Sequence, residues 1–216
     1  MPETKIIVTG GAGFIGSAVV WRLNELGYED ILIVDRMDRT EKWKNLVPLR
    51  FADYIEAVDF IDLIEDFDDA NVIFHLGACS STTETDADFV MRNNFQYTKT
   101  VAEFALFNDI RFVYASSAAT YGDGSAGMED GTDALNRLRP LNVYGYSKHL
   151  FDGYAARNGM FASIVGLKYF NVFGPNENHK GDMRSLVNKA FEQIRDTGKL
   201  QLFKSADPKY KDGEFG

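Results

Sequence analysis

The feature that most constrains this chain is the run Gly10-Gly11-Ala12-Gly13-Phe14-Ile15-Gly16, set between an apolar stretch, Lys5–Thr9, and a helical pattern. In that pattern Val19, Val20, Leu23 and Leu26 recur at helical spacing, and Gly27 stands where a helix needs its left-handed cap. A second apolar run, Ile31–Asp35, follows. Strand, glycine turn, helix and strand make a β-α-β unit. Its glycines have mechanical reasons: a tight turn, a backbone that pyrophosphate can approach, and room for the helix to pack on the sheet. The phosphates would meet the helix N-terminus. Asp35, nineteen residues beyond Gly16, is placed to accept hydrogen bonds from an adenosine ribose. Together these residues predict a dinucleotide site. A lone acid favours NAD, whereas Arg36 with Lys42 nearby can accommodate a 2′-phosphate, so the residues themselves leave NAD and NADP balanced.

Further short runs at Asn71–Leu76, Arg111–Ala115 and Ala162–Tyr169 read as buried strands, and helical patterns cover Asn94–Phe107 and about Tyr144–Arg157. The alternation predicts an α/β fold, a parallel sheet covered on both faces. At roughly 100–200 residues per domain, the length of 216 gives one full domain with a fragment of a second. With 23 basic against 32 acidic side chains the formal charge is −9, which disfavours nucleic acid and anionic membranes as partners. The uncharged stretch from Ile6 to Trp21 contains four glycines and falls short of the ~20 residues a bilayer requires. The single cysteine, Cys79, cannot form an internal disulfide, in keeping with a cytoplasmic location. His75, His149 and His179 are too scattered for a zinc site, so no metal is expected; local hydrogen bonds are the simpler role for them.

Asp123 to Pro140 is rich in glycine and acids and reads as an irregular surface loop. After Gly174-Pro175 the pattern changes: Met183, Leu186, Val187, Ala190, Phe191 and Ile194 form one apolar helix stripe closed by Gly198, expected to be a core face. The charged tail Lys209–Gly216 is an odd place for a domain to stop, and suggests a piece of a longer protein.

Two further patterns carry chemistry. In Tyr144-Gly145-Tyr146-Ser147-Lys148 the tyrosine and lysine are four apart, which on a helix brings their Cβ atoms within about 5–6 Å. A tyrosine near pKa ~10 must lose about three units to act as an acid or base at neutrality, roughly 4 kcal/mol of phenolate stabilisation. A neighbouring lysine plus a positive nicotinamide could supply it. The second pattern, Ala115-Ser116-Ser117-Ala118-Ala119-Thr120-Tyr121-Gly122, directly follows a strand, so Ser117 would point into the crevice where open α/β sheets bind ligands.

The glycine fingerprint, the strand-end serine and the Tyr-x-x-x-Lys together resemble the extended short-chain dehydrogenase/reductases, a family of nucleotide-sugar epimerases, dehydratases and reductases. Narrower segments are similar to the ADP-glyceromanno-heptose 6-epimerase branch of that family: Gly77-Ala78-Cys79-Ser80-Ser81-Thr82-Thr83-Glu84, Asn93-Asn94-Phe95-Gln96-Tyr97, Pro140 to Lys148, and Tyr169-Phe170-Asn171-Val172-Phe173-Gly174-Pro175 leading to His179-Lys180-Gly181. The resemblance implies a Rossmann-type doubly wound parallel sheet over residues 1–170, and over 171–216 the start of a smaller, incomplete substrate domain. It implies inversion at C6 of an ADP-heptose, a lipopolysaccharide precursor step, through transient oxidation to a ketone with NADP as the favoured cofactor. It also implies a homo-oligomer.

Carried over by motif, Tyr144 and Lys180 would be the acid/base pair, Ser117 would bind the reacting hydroxyl, and Lys148 would orient the nicotinamide ribose. Gly10, Gly13, Phe14, Ile15, Gly16, Asp35, Arg36, Lys42, Leu76, Gly77, Ala78, Cys79, Ser80, Asn93, Val172 and Lys180 would hold the cofactor. Ser117, Asn171, Asp182, Lys189 and Phe203 would hold the substrate. Three positions depart from the family pattern: Asp182 stands where a small hydroxyl residue is usual, Lys189 where a histidine is expected, and Ala57 falls near a position that can carry a cofactor-binding lysine. The 216 residues alone are expected to bind cofactor with little or no epimerisation. The alternatives are another nucleotide-sugar epimerase, a 4,6-dehydratase, for which Ala118-Ala119-Thr120 lacks the usual carboxylate, and a non-catalytic dinucleotide sensor.

Overall fold

In the computed structural model residues 4–202, 204 and 211 are described. The chain divides into two compact units, Met1–Phe170 and Asn171–Gly216.

The first unit is built on six strands, all parallel: β1 (Ile6–Thr9), β2 (Ile31–Asp35), β3 (Asp53–Glu56), β4 (Val72–His75), β5 (Arg111–Ser117) and β6 (Ile164–Tyr169). Their order across the sheet is β3-β2-β1-β4-β5-β6, the doubly wound arrangement whose switch point lies between β1 and β4. β1 and β2 read as unbroken apolar runs because both their faces are covered. Alternate residues sort cleanly: Ile6, Val8, Ile31 and Ile33 pack with Val20 and Leu23 of helix α1 (Phe14–Glu25), while Ile7, Leu32, Val34 and Ile73 face the opposite cluster. That cluster draws Phe60 from α2 (Ala57–Leu63) and, beyond the short α3 (Ala87–Val90), Val101, Ala102 and Ala105 from α4 (Tyr97–Phe107). Phe151 and Ala155 of α5 (Val143–Arg157) complete it.

The sequence reading missed β3 and α2. Asp53-Tyr54-Ile55-Glu56 is bracketed by acids and sits at the sheet edge, where an exposed strand needs no apolar run. Two expected strand ends also move. β5 continues to Ser117, and the start of β6 shifts to Ile164 because Met160–Ala162 forms a 3₁₀ turn. Asp123–Pro140 is not a featureless loop. Tyr121, Leu135 and Leu138 form a small buried cluster, and the Tyr121 hydroxyl donates to Asp130 Oδ1 at 2.8 Å.

In the second unit α6 (Leu186–Thr197) is capped by Ser185, whose hydroxyl accepts from Asn188 N, and is closed by Gly198 at φ +69°. Its stripe does not behave as the core face expected. No residue of α6 is buried, and Val187, Phe191 and Ile194 are more than half exposed, because the described part of this unit holds no second layer to cover them. Among the described residues no helix is long and apolar enough to cross a membrane.

Candidate cofactor cradle and catalytic residues

The glycine run does at atomic level what its spacing predicts. Gly10 adopts φ +70°, and a Cβ there would lie 2.7 Å from Gly77 N, so the turn after β1 and the loop after β4 touch backbone to backbone. A Cβ on Gly16 would lie 2.1 Å from Gly10 O, which any side chain would violate; the absence of one lets α1 pack on the turn. No side chain caps α1 and no acid occupies its first turn. A helix end left this way suits a phosphate.

Asp35 has a task the sequence did not show. Its Oδ2 accepts from Ala12 N at 2.9 Å, and its Oδ1 from Arg36 N and Lys42 Nζ, both at 2.7 Å. The carboxylate thus pins the glycine turn and Lys42 together. Arg36 stays half-exposed, with only long ion pairs to Glu56 and Asp38 at 3.8 and 3.9 Å.

Beside these residues a cavity of about 230 Å³ gathers Gly10, Asp35, Arg36, Lys42, Gly77, Ala78, Cys79 and Asn93, all named by the sequence, with Ala57, noted there near a cofactor position, and Thr9, Val34, Asp38, Phe89 and Tyr97, which were not named for it. Phe14, Ile15 and Gly16 belong to α1 and, with Gly13, Leu76 and Ser80, do not line this cavity. In its wall the Tyr97 hydroxyl is buried without a partner, and burial beside Glu56 and Asp35 keeps it protonated. The cradle and this orphaned hydroxyl fit the adenosine end of a dinucleotide.

The loop carrying Gly77, Ala78 and Cys79 is held from beneath by His75, Thr98, Thr9 and Asn94, none of which the sequence assigned a role in the site. Thr98 Oγ1 donates to Asn94 O at 2.5 Å and therefore accepts from His75 Nε2. His75 Nδ1 is then the acceptor for the Thr9 hydroxyl at 2.7 Å, and Thr9 Oγ1 in turn accepts from Gly77 N. Complete burial, with Lys148 adding to it, pushes the His75 pKa down to about 3. Asn94 lies in a π-helical stretch, Met91–Gln96, that joins α3 to α4. Its side chain accepts from Cys79 N and donates to Cys79 O and Ser147 Oγ, linking the loop to α5. π-segments mark functional sites often enough, but sequence periodicity does not reveal them.

The second cluster lies at the start of α5. Asn142 caps it, accepting from Gly145 N at 2.7 Å. Gly145 is required because a Cβ there would lie 2.6 Å from Ala119 O, so α5 rides on the turn that follows Ser117. Ser117 ends β5, nearly buried, and accepts from Ala119 N. Lys148 is 4% exposed. Its ammonium donates to Ala115 O at 2.8 Å. Burial pushes the Lys148 pKa down to about 8, against the opposing charge of Asp152. Burial also raises the Tyr144 pKa, while the Ser117 side chain, hydrogen-bonded to it, pulls it back and the nearby Cys79 adds to the rise. The Lys148 ammonium is seated on the strand carbonyl, and burial and the Ser117 side chain dominate the Tyr144 pKa. His149, expected to be satisfied locally, instead has a buried Nδ1 with no partner.

The remaining residues named by the sequence fall in the second unit. Lys180 and Asp182 lie in a 3₁₀ stretch, Asn178–Met183, and Lys189 Nζ donates to Asp182 O at 2.5 Å. The buried Glu177 organises this unit by accepting from Gly174 N, Ser185 N and Ser185 Oγ. Asn171 and Val172 are exposed. Phe203 lies outside the described residues, as does most of the Lys209–Gly216 tail. Among the described residues no group of His, Cys, Asp and Glu could hold a metal ion.

A dinucleotide cradle at the switch point of a 3-2-1-4-5-6 sheet, with Ser, Tyr and Lys at the neighbouring strand end, defines a nucleotide-dependent α/β enzyme class. The chain belongs to the NAD dependent epimerase/dehydratase family, whose family model matches residues 6–211. It is 54% identical over 210 residues to an ADP-L-glycero-D-manno-heptose-6-epimerase of Nitratidesulfovibrio vulgaris, covering 96% of this chain and 65% of the relative. Among solved structures it is similar to the Helicobacter pylori ADP-L-glycero-D-manno-heptose-6-epimerase, with TM-score 0.77 and 29% identity over 91% of this chain and 64% of that one. A UDP-glucuronic acid 4-epimerase from Bacillus cereus, solved in complex with NAD, matches with TM-score 0.71 and 28% identity over 89% of this chain and 64% of that one. The chain thus spans about 65% of the length of the curated relatives it matches.

Proposed function

We propose that the protein inverts C6 of an ADP-heptose by transient oxidation to a ketone and return of hydrogen to the opposite face. The observation that carries this reading is the placing of Tyr144 against Ser117 at the end of β5, with Lys148 fixed one helical turn along α5 and the glycine cradle in the same unit. The carbinol hydrogen at C6 is not acidic, so a base alone cannot remove it. A bound nicotinamide would supply the redox capacity, accepting hydrogen from C6 and giving it back. Tyr144 Oη serves as the acid/base group on one side of the sugar, exchanging the proton of the C6 hydroxyl there, and Ser117 Oγ holds the same oxygen. Burial holds Tyr144 protonated, and the positive charge of a bound nicotinamide together with that of the Lys148 ammonium would favour its phenolate. On the resemblance, Lys180 is assigned the second acid/base role and Asn171, Asp182, Lys189 and Phe203 the substrate contacts.

The proposed cofactor is NADP. Asp35 spends its oxygens on Ala12 N, Arg36 N and Lys42, which reduces its reach toward a ribose 2′-hydroxyl, and the half-exposed Arg36 lines the cavity as a partner for a 2′-phosphate. We place the reaction in the cytoplasm, in keeping with the single cysteine.

The test is incubation of the whole protein with the ADP-activated D,D-heptose, following the C6 epimers by NMR. Interconversion is expected, and Tyr144→Phe should lower kcat by about 10²–10⁴-fold with cofactor still bound. Turnover of a UDP- or dTDP-hexose with none of the heptose would replace this reading with another epimerase or a dehydratase. Unchanged activity in Tyr144→Phe would remove the catalytic role.

A further inference from the structure

Below the catalytic serine and lysine lies a buried carboxylate that the proposed chemistry does not use. Asp152 is 2% exposed and fully engaged. Its Oδ1 accepts from the Tyr114 hydroxyl at 2.7 Å, and its Oδ2 from Ser116 Oγ at 2.8 Å and Lys168 Nζ at 2.7 Å. Lys168 also donates to Thr120 Oγ1 at 2.7 Å and stands over the Tyr121 ring. The arrangement is built for: a Cβ on Gly166 would lie 2.5 Å from the Tyr114 hydroxyl, so glycine on β6 makes the room that lets Tyr114 reach Asp152. These contacts join β5, β6, α5 and the turn after Ser117.

Asp152 follows Lys148 by four residues on α5 and so shares its face. The titratable groups around this face are His75 on β4, Tyr114 on β5, Lys168 on β6, Tyr121 in the turn, and Tyr144 and His149 on α5 itself. Burial keeps His75 neutral and Tyr114 protonated. The charges are then the ammonium groups of Lys148 and Lys168 and the Asp152 carboxylate, with Asp130 acting through Tyr121 and Arg139 through His149 at the margin. Without the carboxylate, the buried Lys148 would lose the negative charge that opposes its desolvation and would shed its proton more readily.

We propose that Asp152 is a positioning residue: it keeps the Lys148 ammonium charged and seated on Ala115 O, while its hydrogen bonds to Tyr114 and Ser116 lock the strand end that presents Ser117. The functional consequence rests on the reading of Tyr144 and Lys148 as acid/base machinery. Asp152 itself touches neither substrate nor cofactor.

The experiment is a pH titration of Lys148 by NMR in whole protein labelled at the lysine ε-carbons, with Lys148→Arg to assign the signal. In Asp152→Asn, which keeps the shape, Lys148 should titrate about one pH unit lower than in the wild type. Lys168→Gln removes the competing cation and leaves the carboxylate, so Lys148 should then titrate higher. Opposite shifts are the signature, because a purely structural role moves both variants the same way. In turnover, Asp152→Asn should narrow the kcat–pH bell from both sides and lower kcat about tenfold at neutrality, with KM changed less than about twofold. Lys148 titrating at one pH in all three proteins, or moving the same way in both variants, overturns the proposal. Should Asp152→Asn fail to fold, the Lys168→Gln shift decides alone: upward supports the proposal, unchanged or downward overturns it. The titration needs no turnover, so a wild type that epimerises nothing overturns the functional reading and not this one.

Discussion

The cofactor cradle and the catalytic corner lie in one unit but are held in different ways. The cradle is a backbone construction. Gly10 and Gly16 let the turn after β1 approach the loop after β4 and the start of α1 to distances that a Cβ would forbid. The corner around Ser117, Tyr144 and Lys148 is a side-chain construction, resting on Asn94, Asn142, Asp152 and Lys168 and on their long-range hydrogen bonds. Close backbone approach has one solution in the amino-acid alphabet. Support by buried polar groups has many, so the first region leaves a legible mark on the sequence and the second does not.

That contrast can be broken at defined points. The largest effect is expected at Gly16. Gly16→Ala puts a Cβ against a backbone carbonyl that cannot turn aside, and should cost about 3 kcal/mol or more, read as a lowered urea midpoint at unchanged m. A loss below about 1 kcal/mol would show that the turn can yield and that the cradle is less of a backbone device than described.

His75 supports the cradle from beneath, tying Thr9 and Gly77 on one side to Thr98 on the other. Its ordinary pKa of 6.5 is pushed down to about 3 in the fold. Between those values the unfolded chain binds a proton that the native state refuses. His75 should therefore make stability fall as pH drops from about 6.5 toward 3, approaching a slope of 1.4 kcal/mol per pH unit. His75→Gln, compared with wild type by denaturant titration across that range, should flatten the slope. An equal slope in both would place the acid sensitivity elsewhere.

The smallest effect is expected at Arg36. Arg36→Ala should weaken NADP binding by about tenfold, measured calorimetrically, and leave NAD within about twofold. Equal losses for both would assign Arg36 to the loop rather than to a 2′-phosphate.

The same division explains what could be read in advance. The β-α-β unit, the parallel sheet, Ser117 at a strand end and the Tyr144–Lys148 spacing were visible because they follow from periodicity and fixed offsets. β3 escaped because an edge strand bounded by Asp53 and Glu56 carries no apolar run. Asn94 escaped because a π-helical stretch breaks the 3.6-residue period that would have placed it inward. Asp152 carries no signal in the sequence, since its partners Tyr114, Ser116 and Lys168 lie 38, 36 and 16 residues away. The α6 stripe was read as a core face from its period alone, which reports amphipathicity and not what covers it.

The central claim is that the carbinol hydrogen is carried and returned rather than exchanged with solvent. Epimerisation of the ADP-activated heptose by the whole protein in heavy water, with C6 examined by NMR and mass spectrometry, tests it directly. The account predicts epimers in which C6 keeps its original hydrogen through many turnovers. Deuterium entering C6 in step with inversion would contradict it, since that hydrogen would then have left as a proton.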